Sequence, residues 1–291
     1  MKNKFLKVIY SIIFLVLLLS VNNVHSQSTS QDSTIDIEIE SNNAIIKGSL
    51  YTPNKDMQLP LIIVIPGSGK IERKDLGMIK SIFSGLEIAT FIYDKRGVGE
   101  STGTYIAANA ANSKEIFFQR SKDVQEIVKM LKSNEHINAN QIGLMGSSQG
   151  GWIISMVASE SNNIAFTICI SGAASSVGIS DYYDSIAEEA DSIELAIAQL
   201  NEFKGENGFN PYNSIKNISS PALWIYGGQD KSNPTIEDIR ILNEIRKIYN
   251  KEFYIHLYPT YNHDLIDLST GELGEKVIPE LRQWVMKILK I

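Results

Sequence analysis

The chain has 291 residues, 43% hydrophobic and 21% charged, an ordinary globular composition that fits one domain around a single core. Its formal net charge of -6 argues against nucleic acid as a partner, because phosphates demand a basic face. The lone cysteine, Cys169, rules out an intrachain disulfide and lies in the apolar run "IAFTICIS", where it reads as a small buried hydrophobe.

Residues 1–26 read as a signal peptide. Lys2, Lys4 and Lys7 precede an apolar run from Val8 to Leu19, and Val24-His25-Ser26 offers a small-residue cleavage site before Gln27. The apolar run, about 12 residues, falls short of the roughly 20 that a spanning helix needs. The expectation is export, to the periplasm or the medium, with no stable membrane insertion after cleavage. An uncleaved anchor is the alternative.

Residues 27–291 then read as one domain. "TIDIEIES" (34–41) alternates apolar and polar residues, and "AIIKGSLYTP" (44–53) follows Asn42-Asn43, which predicts a hairpin of half-exposed strands. "LPLIIVIP" (59–66) is continuously apolar, as a strand buried on both faces should be. Similar runs recur at 88–93, 141–146, 164–171, 222–227 and 253–259. Between them, apolar residues at helical spacing predict helices over 74–86 and 118–133, the nearly all-apolar 151–160 reads as a buried helix, and helical patterns over 234–249 and 274–291 complete the set. Strands alternating with helices mean an α/β fold, a mostly parallel sheet covered on both faces, with the leading hairpin antiparallel at one edge. One polar stretch, 173–217, breaks the alternation and is expected as a cap insertion. Within it "SIAEEADSIELAIAQLNEFKG" reads as one amphipathic helix.

Gly146-Ser147-Ser148-Gln149-Gly150 fits G-x-S-x-G. It follows the buried strand "IGLM" and opens the apolar helix "GWIISMV", the context in which a sharp strand-to-helix turn lifts the central serine above a sheet. Ser148 is therefore the candidate nucleophile. Ser147, out of register, is expected to point into neighbouring structure. A serine needs a base. His25 falls in the signal segment, His136 in a polar loop, and His256 inside a strand; His263, in the loop after the last strand, is the candidate. The orienting acid is expected to be Asp230, at the end of "ALWIYGGQD", with Asp264 and Asp267 as rivals. The order is Ser148, Asp230, His263. Two backbone N–H groups are expected to form the oxyanion hole: that of Gln149, and that of Ser68 in the glycine-flanked loop "PGSGK", with Gly69 as runner-up.

With these residues in hand, the chain resembles the α/β-hydrolase superfamily, in particular its bacterial acyl-esterase and serine-aminopeptidase-like branch. "VIPGSGKIERKD", "FIYDKRGVGESTGTY", "IGLMGSSQGGW" and the pair "WIYGGQD" with "YNHDL" carry the resemblance, which spans roughly residues 40–291. It implies an α/β-hydrolase fold and a serine hydrolase working without cofactor or metal on a small-molecule ester or short acyl substrate. It also implies a structural role for Asp94 and Arg96. The branch commonly carries His where this chain has Ser147, and the cap is short. An exo-acting peptidase is the alternative, with Glu188, Glu189 or Glu194 as candidates to hold a substrate amine. A non-catalytic binding protein of the same fold is a further one.

Overall fold

A computed structural model describes residues 33–54, 57–274 and 276–291. The segment read as a signal peptide lies outside the described residues.

The centre is an eight-stranded sheet. β1 (Ser33–Ser41) and β2 (Ala44–Thr52) form the leading hairpin. Asn42 and Asn43 close it at φ 41° and 61°. Both lie in the left-handed region that a tight two-residue hairpin turn requires and that asparagine tolerates. β3 (Leu59–Ile65), β4 (Ala89–Tyr93), β5 (Ile137–Ser147), β6 (Phe166–Ile170), β7 (Ala222–Gly227) and β8 (Phe253–Tyr258) follow. The spatial order is β1-β2-β4-β3-β5-β6-β7-β8. β1, β2 and β4 pair antiparallel, and every pair from β4 to β8 is parallel. This is the α/β-hydrolase fold that the sequence predicts.

The strand period of two divides one apolar run between two cores. Leu59, Leu61, Ile63 and Ile65 of β3 enter one core with Phe117, Val124 and Ile127 of α1 (Ser113–Lys132) and with Ile154 and Val157 of α2 (Gln149–Glu160). Ile62 and Val64 enter the other, with Leu281 and Val285 of the last helix (Val277–Leu289) and with Phe83. Phe83 ends a segment over Arg73–Phe83 that is 3-10 rather than α-helical. Gly77, in its middle, gives the backbone little helical preference.

The insertion differs from expectation. Of the stretch read as one helix, 185–205, only Ser185 and Ile186 belong to α3 (Val177–Ile186), while Ile193–Gln199 form α4 and Leu200–Glu202 a 3-10 turn. Ser192 causes the break: its hydroxyl accepts the Leu195 N–H at 3.3 Å and starts a new helix. Tyr183, Ala187 and Ala196 form a small core of their own there. The end of the expected cap, α5 (Tyr212–Asn217), instead belongs to the main domain, since Ile215 and Ile218 are fully buried in the same core as Trp224 and Phe253. A helix over Thr235–Tyr249, α6, precedes β8, and Val277–Leu289 is α7.

The "YDKRGVGES" turn has the structural role the sequence suggests. Asp94 accepts hydrogen bonds from the Arg73 and Glu100 N–H groups and from the Arg73 guanidinium. Arg96 pairs with buried Asp123 and donates to the Ser41 and Asn42 carbonyls, which fastens the hairpin to α1.

Candidate active site

Three loops at the carboxyl ends of β5, β7 and β8 carry the candidate residues. In open parallel sheets this edge is where the loops are free to meet.

Ser148 stands between β5 and α2 at φ 51° and ψ −121°. For a residue with a Cβ this is strained backbone, held because the surroundings leave no other path. A Cβ on Gly146 would lie 2.8 Å from the Ile65 carbonyl oxygen, and one on Gly150 would lie 2.7 Å from it. One on Gly151 would lie 2.8 Å from the Gly172 Cα. The glycines therefore let the turn press against β3 and the end of β6. The Ser148 N–H is fixed by the Ile170 carbonyl at 2.9 Å. Gln149 is the first residue of α2, so its N–H belongs to the first turn, whose donors have no intrahelical acceptor. The helix dipole adds positive potential at that end.

The expectation for Ser147 is corrected. Ser147 is exposed, and its hydroxyl lies 3.5 Å from where a Cβ on Gly67 would stand. Because Gly67 carries no side chain, the space beside Ser147 stays open. The same absent Cβ would meet Ser148 Cβ at 3.6 Å, so the Gly67-Ser68-Gly69 loop passes directly beside the serine turn. Ser68 is exposed, and Gly69, at φ 81°, takes a conformation that suits glycine.

Asp230 and His263 meet. His263 Nδ1 lies 2.7 Å from Asp230 Oδ2, and the carboxylate is completely buried. Two glycines at the end of β7, Gly227 within the strand and Gly228 just after it, permit this. A Cβ on Gly227 would stand 2.3 Å from the Asn262 and Tyr261 carbonyl oxygens, and one on Gly228 would stand 2.6 Å from that of Pro259. The acid's loop thus lies backbone against backbone on the histidine's loop. Asp230 Oδ1 accepts the Ser232 and Asn233 N–H groups at 2.7 and 2.8 Å, so both of its oxygens are engaged. On the other side, Asn262 Oδ1 accepts the Asp264 and Ile266 N–H groups and fixes the bend around His263. Burial disfavours the imidazolium, but the charge and hydrogen bond of Asp230 outweigh it and push the His263 pKa up to about 9.

The rival acids are otherwise occupied. Asp267 accepts from the Ser269 N–H and hydroxyl. Asp264 is pushed up by burial, a poor setting for a carboxylate that must stay ionised. His256 sits on β8 with Nδ1 3.2 Å from Glu280 Oε2. His136 lies in the turn before β5, where its N–H donates to Asn134 Oδ1. Glu188, Glu189 and Glu194 are exposed on the insertion, with Glu188 3.9 Å from Lys231 Nζ.

Several supporting residues carry no sequence motif. Asn233 joins Asp230 to the end of β6 through the Ser171 carbonyl, and the Ser171 hydroxyl donates to the His263 carbonyl at 2.8 Å. Tyr183 of α3 donates from its hydroxyl to the Asp230 carbonyl at 2.9 Å, tying the insertion to the acid. Only long-range proximity gives these polar residues their roles. Among the described residues no cluster of His, Cys, Asp or Glu suits a metal ion, and no helix is long and apolar enough to cross a membrane.

Comparison with known proteins gives the family and the fold. The profile of the prolyl oligopeptidase family matches residues 78–290. Among curated proteins, the chain is 24% identical over 151 residues to the quorum-quenching protein AidA of Acinetobacter baumannii, covering 51% of this chain and 45% of that protein. It is 23% identical over 251 residues to the acylamino-acid-releasing enzyme of Rattus norvegicus, covering 84% of this chain and 33% of that enzyme. The chain thus spans less than half the length of these two relatives. Among solved structures, the Pyrococcus furiosus esterase Pf2001 superimposes with a TM-score of 0.66 at 18% identity, over 89% of this chain and 91% of that one.

Proposed function

The chain belongs to the prolyl oligopeptidase family; we propose that it is a serine hydrolase that cleaves carboxylic esters through an acyl-enzyme on Ser148. The observation that carries this reading is the 2.7 Å contact between His263 Nδ1 and the wholly buried Asp230 carboxylate, on loops at the same sheet edge as the strained Ser148 turn.

In this reading the neutral His263 takes the Ser148 proton at Nε2 as the hydroxyl attacks the ester carbonyl. Asp230 holds the ring by its Nδ1–H and stabilises the imidazolium that forms. The carbonyl oxygen becomes an oxyanion, received by the N–H groups of Gln149 and Ser68. The imidazolium returns its proton to the departing alcohol. Water then attacks the acyl-enzyme by the same route, releasing the acid and free Ser148.

An ester is favoured over an amide on chemical grounds, since an alkoxide leaves more readily than an amide nitrogen. An exo-acting peptidase is the second reading, favoured by the family itself and by similarity to an acylamino-acid-releasing enzyme. The substrate in either case is a small acyl compound reaching an exposed loop edge. Export through residues 1–26 is part of the proposal, and N-terminal sequencing of exported protein is expected to start at Gln27.

The test is hydrolysis of 4-nitrophenyl acetate, butyrate and octanoate beside aminoacyl-4-nitroanilides, with wild type and Ser148→Ala. Ester turnover that disappears in the variant is expected. Dominant anilide turnover would move the protein to the peptidase reading. A folded wild type that neither turns over nor reacts with a fluorophosphonate probe would sink the enzymatic reading.

A further inference from the structure

Two buried cations stand behind the serine turn with no acid to neutralise them. Lys95 and Arg120 are 4% and 8% exposed. Among the described residues neither has a carboxylate as hydrogen-bond or ion-pair partner. The acid whose charge bears on Arg120 is Asp123, and it already holds Arg96 and the Ser41 hydroxyl. Burying an unpaired charge is costly, so two at one place call for a use.

Their hydrogen bonds indicate one. Lys95 Nζ donates to the carbonyls of Gly67 and Gly69, the latter at 2.6 Å. Arg120 donates through Nη1 to Gln149 Oε1 and through Nη2 to the Ile106 carbonyl at 2.8 Å. Both sit over the half-buried Tyr105 ring, with Lys95 Nζ 5.5 Å and Arg120 Cζ 5.3 Å from its centre. Each cation therefore grips one of the two segments assigned to the oxyanion hole.

We infer that Lys95 and Arg120 are positioning residues that aim the Ser68 and Gln149 N–H groups at the reacting carbonyl oxygen. The inference rests on the hydrolase reading above and deepens it. A trans peptide unit is planar, with its C=O and N–H pointing in opposite directions. Fixing the Gly67 carbonyl on Lys95 Nζ therefore turns the Ser68 N–H the opposite way, away from Lys95. A hydrogen bond donated to the carbonyl also polarises that peptide and makes its N–H a better donor. Arg120 draws the Gln149 side chain aside, which fixes the first residue of α2 and leaves its N–H uncovered. Burial, and after it the charge of the neighbouring Arg120, lower the Lys95 pKa to about 7. The neutral amine still donates to both carbonyls.

The test is steady-state hydrolysis of 4-nitrophenyl butyrate by wild type, Lys95→Met, Gln149→Met and Ser148→Ala. It is paired with inhibition by an alkylboronic acid, whose tetrahedral serine adduct carries its negative charge near the oxyanion position. Removing an oxyanion donor outright typically costs about 100- to 1000-fold in kcat. A misaimed donor should cost less, so Lys95→Met is expected to lose about 10- to 100-fold in kcat, with KM within about threefold. Boronate affinity should fall by a similar factor. Gln149→Met keeps the backbone donor but frees it from Arg120, and is expected to lose about 3- to 10-fold in kcat. Unchanged kcat and boronate affinity in folded Lys95→Met overturns the inference, as does a loss that falls on KM alone. If Lys95→Met does not fold, Gln149→Met decides by the same criteria. Ser148→Ala separates the two failures: turnover surviving in it removes the nucleophile assignment, whereas an intact nucleophile with indifferent Lys95 and Gln149 variants removes only the brace.

Discussion

Replacing Asp230 by Asn tests the acid–base pair most directly, because turnover and the pH profile should move together. The buried carboxylate raises the His263 pKa from 6.5 to about 9 against the opposing effect of burial. That difference corresponds to about 3 kcal/mol of preference for the imidazolium. His263 acts as a base only when neutral, so wild-type kcat/KM should climb with pH through and beyond 6.5, pass half-maximum near 9 and level off above it. Asn keeps the shape of the side chain and removes the charge. Burial then acts on the ring without the carboxylate, and the acid limb should shift to lower pH. Turnover should fall by about 10⁴-fold at its plateau, because the amide cannot hold the ring in the right tautomer or stabilise the imidazolium. Lys95 titrates near 7 in the same range, so the assignment depends on the limb's movement in the variant. The stability effect has a definite sign. With the folded pKa above the unfolded one, the contribution of the pair is complete below 6.5 and is lost as pH rises through about 9. The measurements are kcat/KM from pH 5 to 10 and urea unfolding at pH 6 and 9.5. An Asp230→Asn enzyme with an unmoved limb and less than a tenfold loss would refute the assignment and direct attention to Asp264.

Gly150→Ala would ordinarily favour a helix, but its Cβ would lie 2.7 Å from the Ile65 carbonyl oxygen, so a loss of about 1–3 kcal/mol is expected in denaturant unfolding. Arg96→Met leaves Asp123 buried without its cation and should cost about 3–5 kcal/mol, while kcat per folded molecule stays near wild type. Tyr183→Phe deprives the Asp230 carbonyl of a buried donor; a loss of about 1–2 kcal/mol in unfolding is expected, with a smaller change in kcat than Asp230→Asn. Turnover should survive dialysis against EDTA, and a loss restored by added metal would contradict the proposed chemistry.

What was legible in the sequence was what repeats or what breaks a repeat. Continuous apolar runs marked the buried strands, because a strand covered on both faces has no polar side to show. The glycines around Ser148 marked a turn too tight for side chains, and Gly227-Gly228 marked the end of β7. Local signals failed where two near-equal choices were settled by one residue, as when Ser192 capped a new helix and split the insertion. They also failed for Ile215 and Ile218, whose burial depends on α5 returning to the main core. Ser147 was misplaced because its surroundings are set by Gly67, some 80 residues away. The sequence by itself determined the α/β layering and the order in which serine, aspartate and histidine arrive at the loops, since both follow from patterning along the chain. Only the tertiary structure decided that Asp230 is the acid beside His263, that Asn233 and Tyr183 hold it, and that Lys95 and Arg120 grip the loops around Ser148. Those pairings are made by strands laid side by side, and a hydrogen bond between distant residues leaves no periodicity to read.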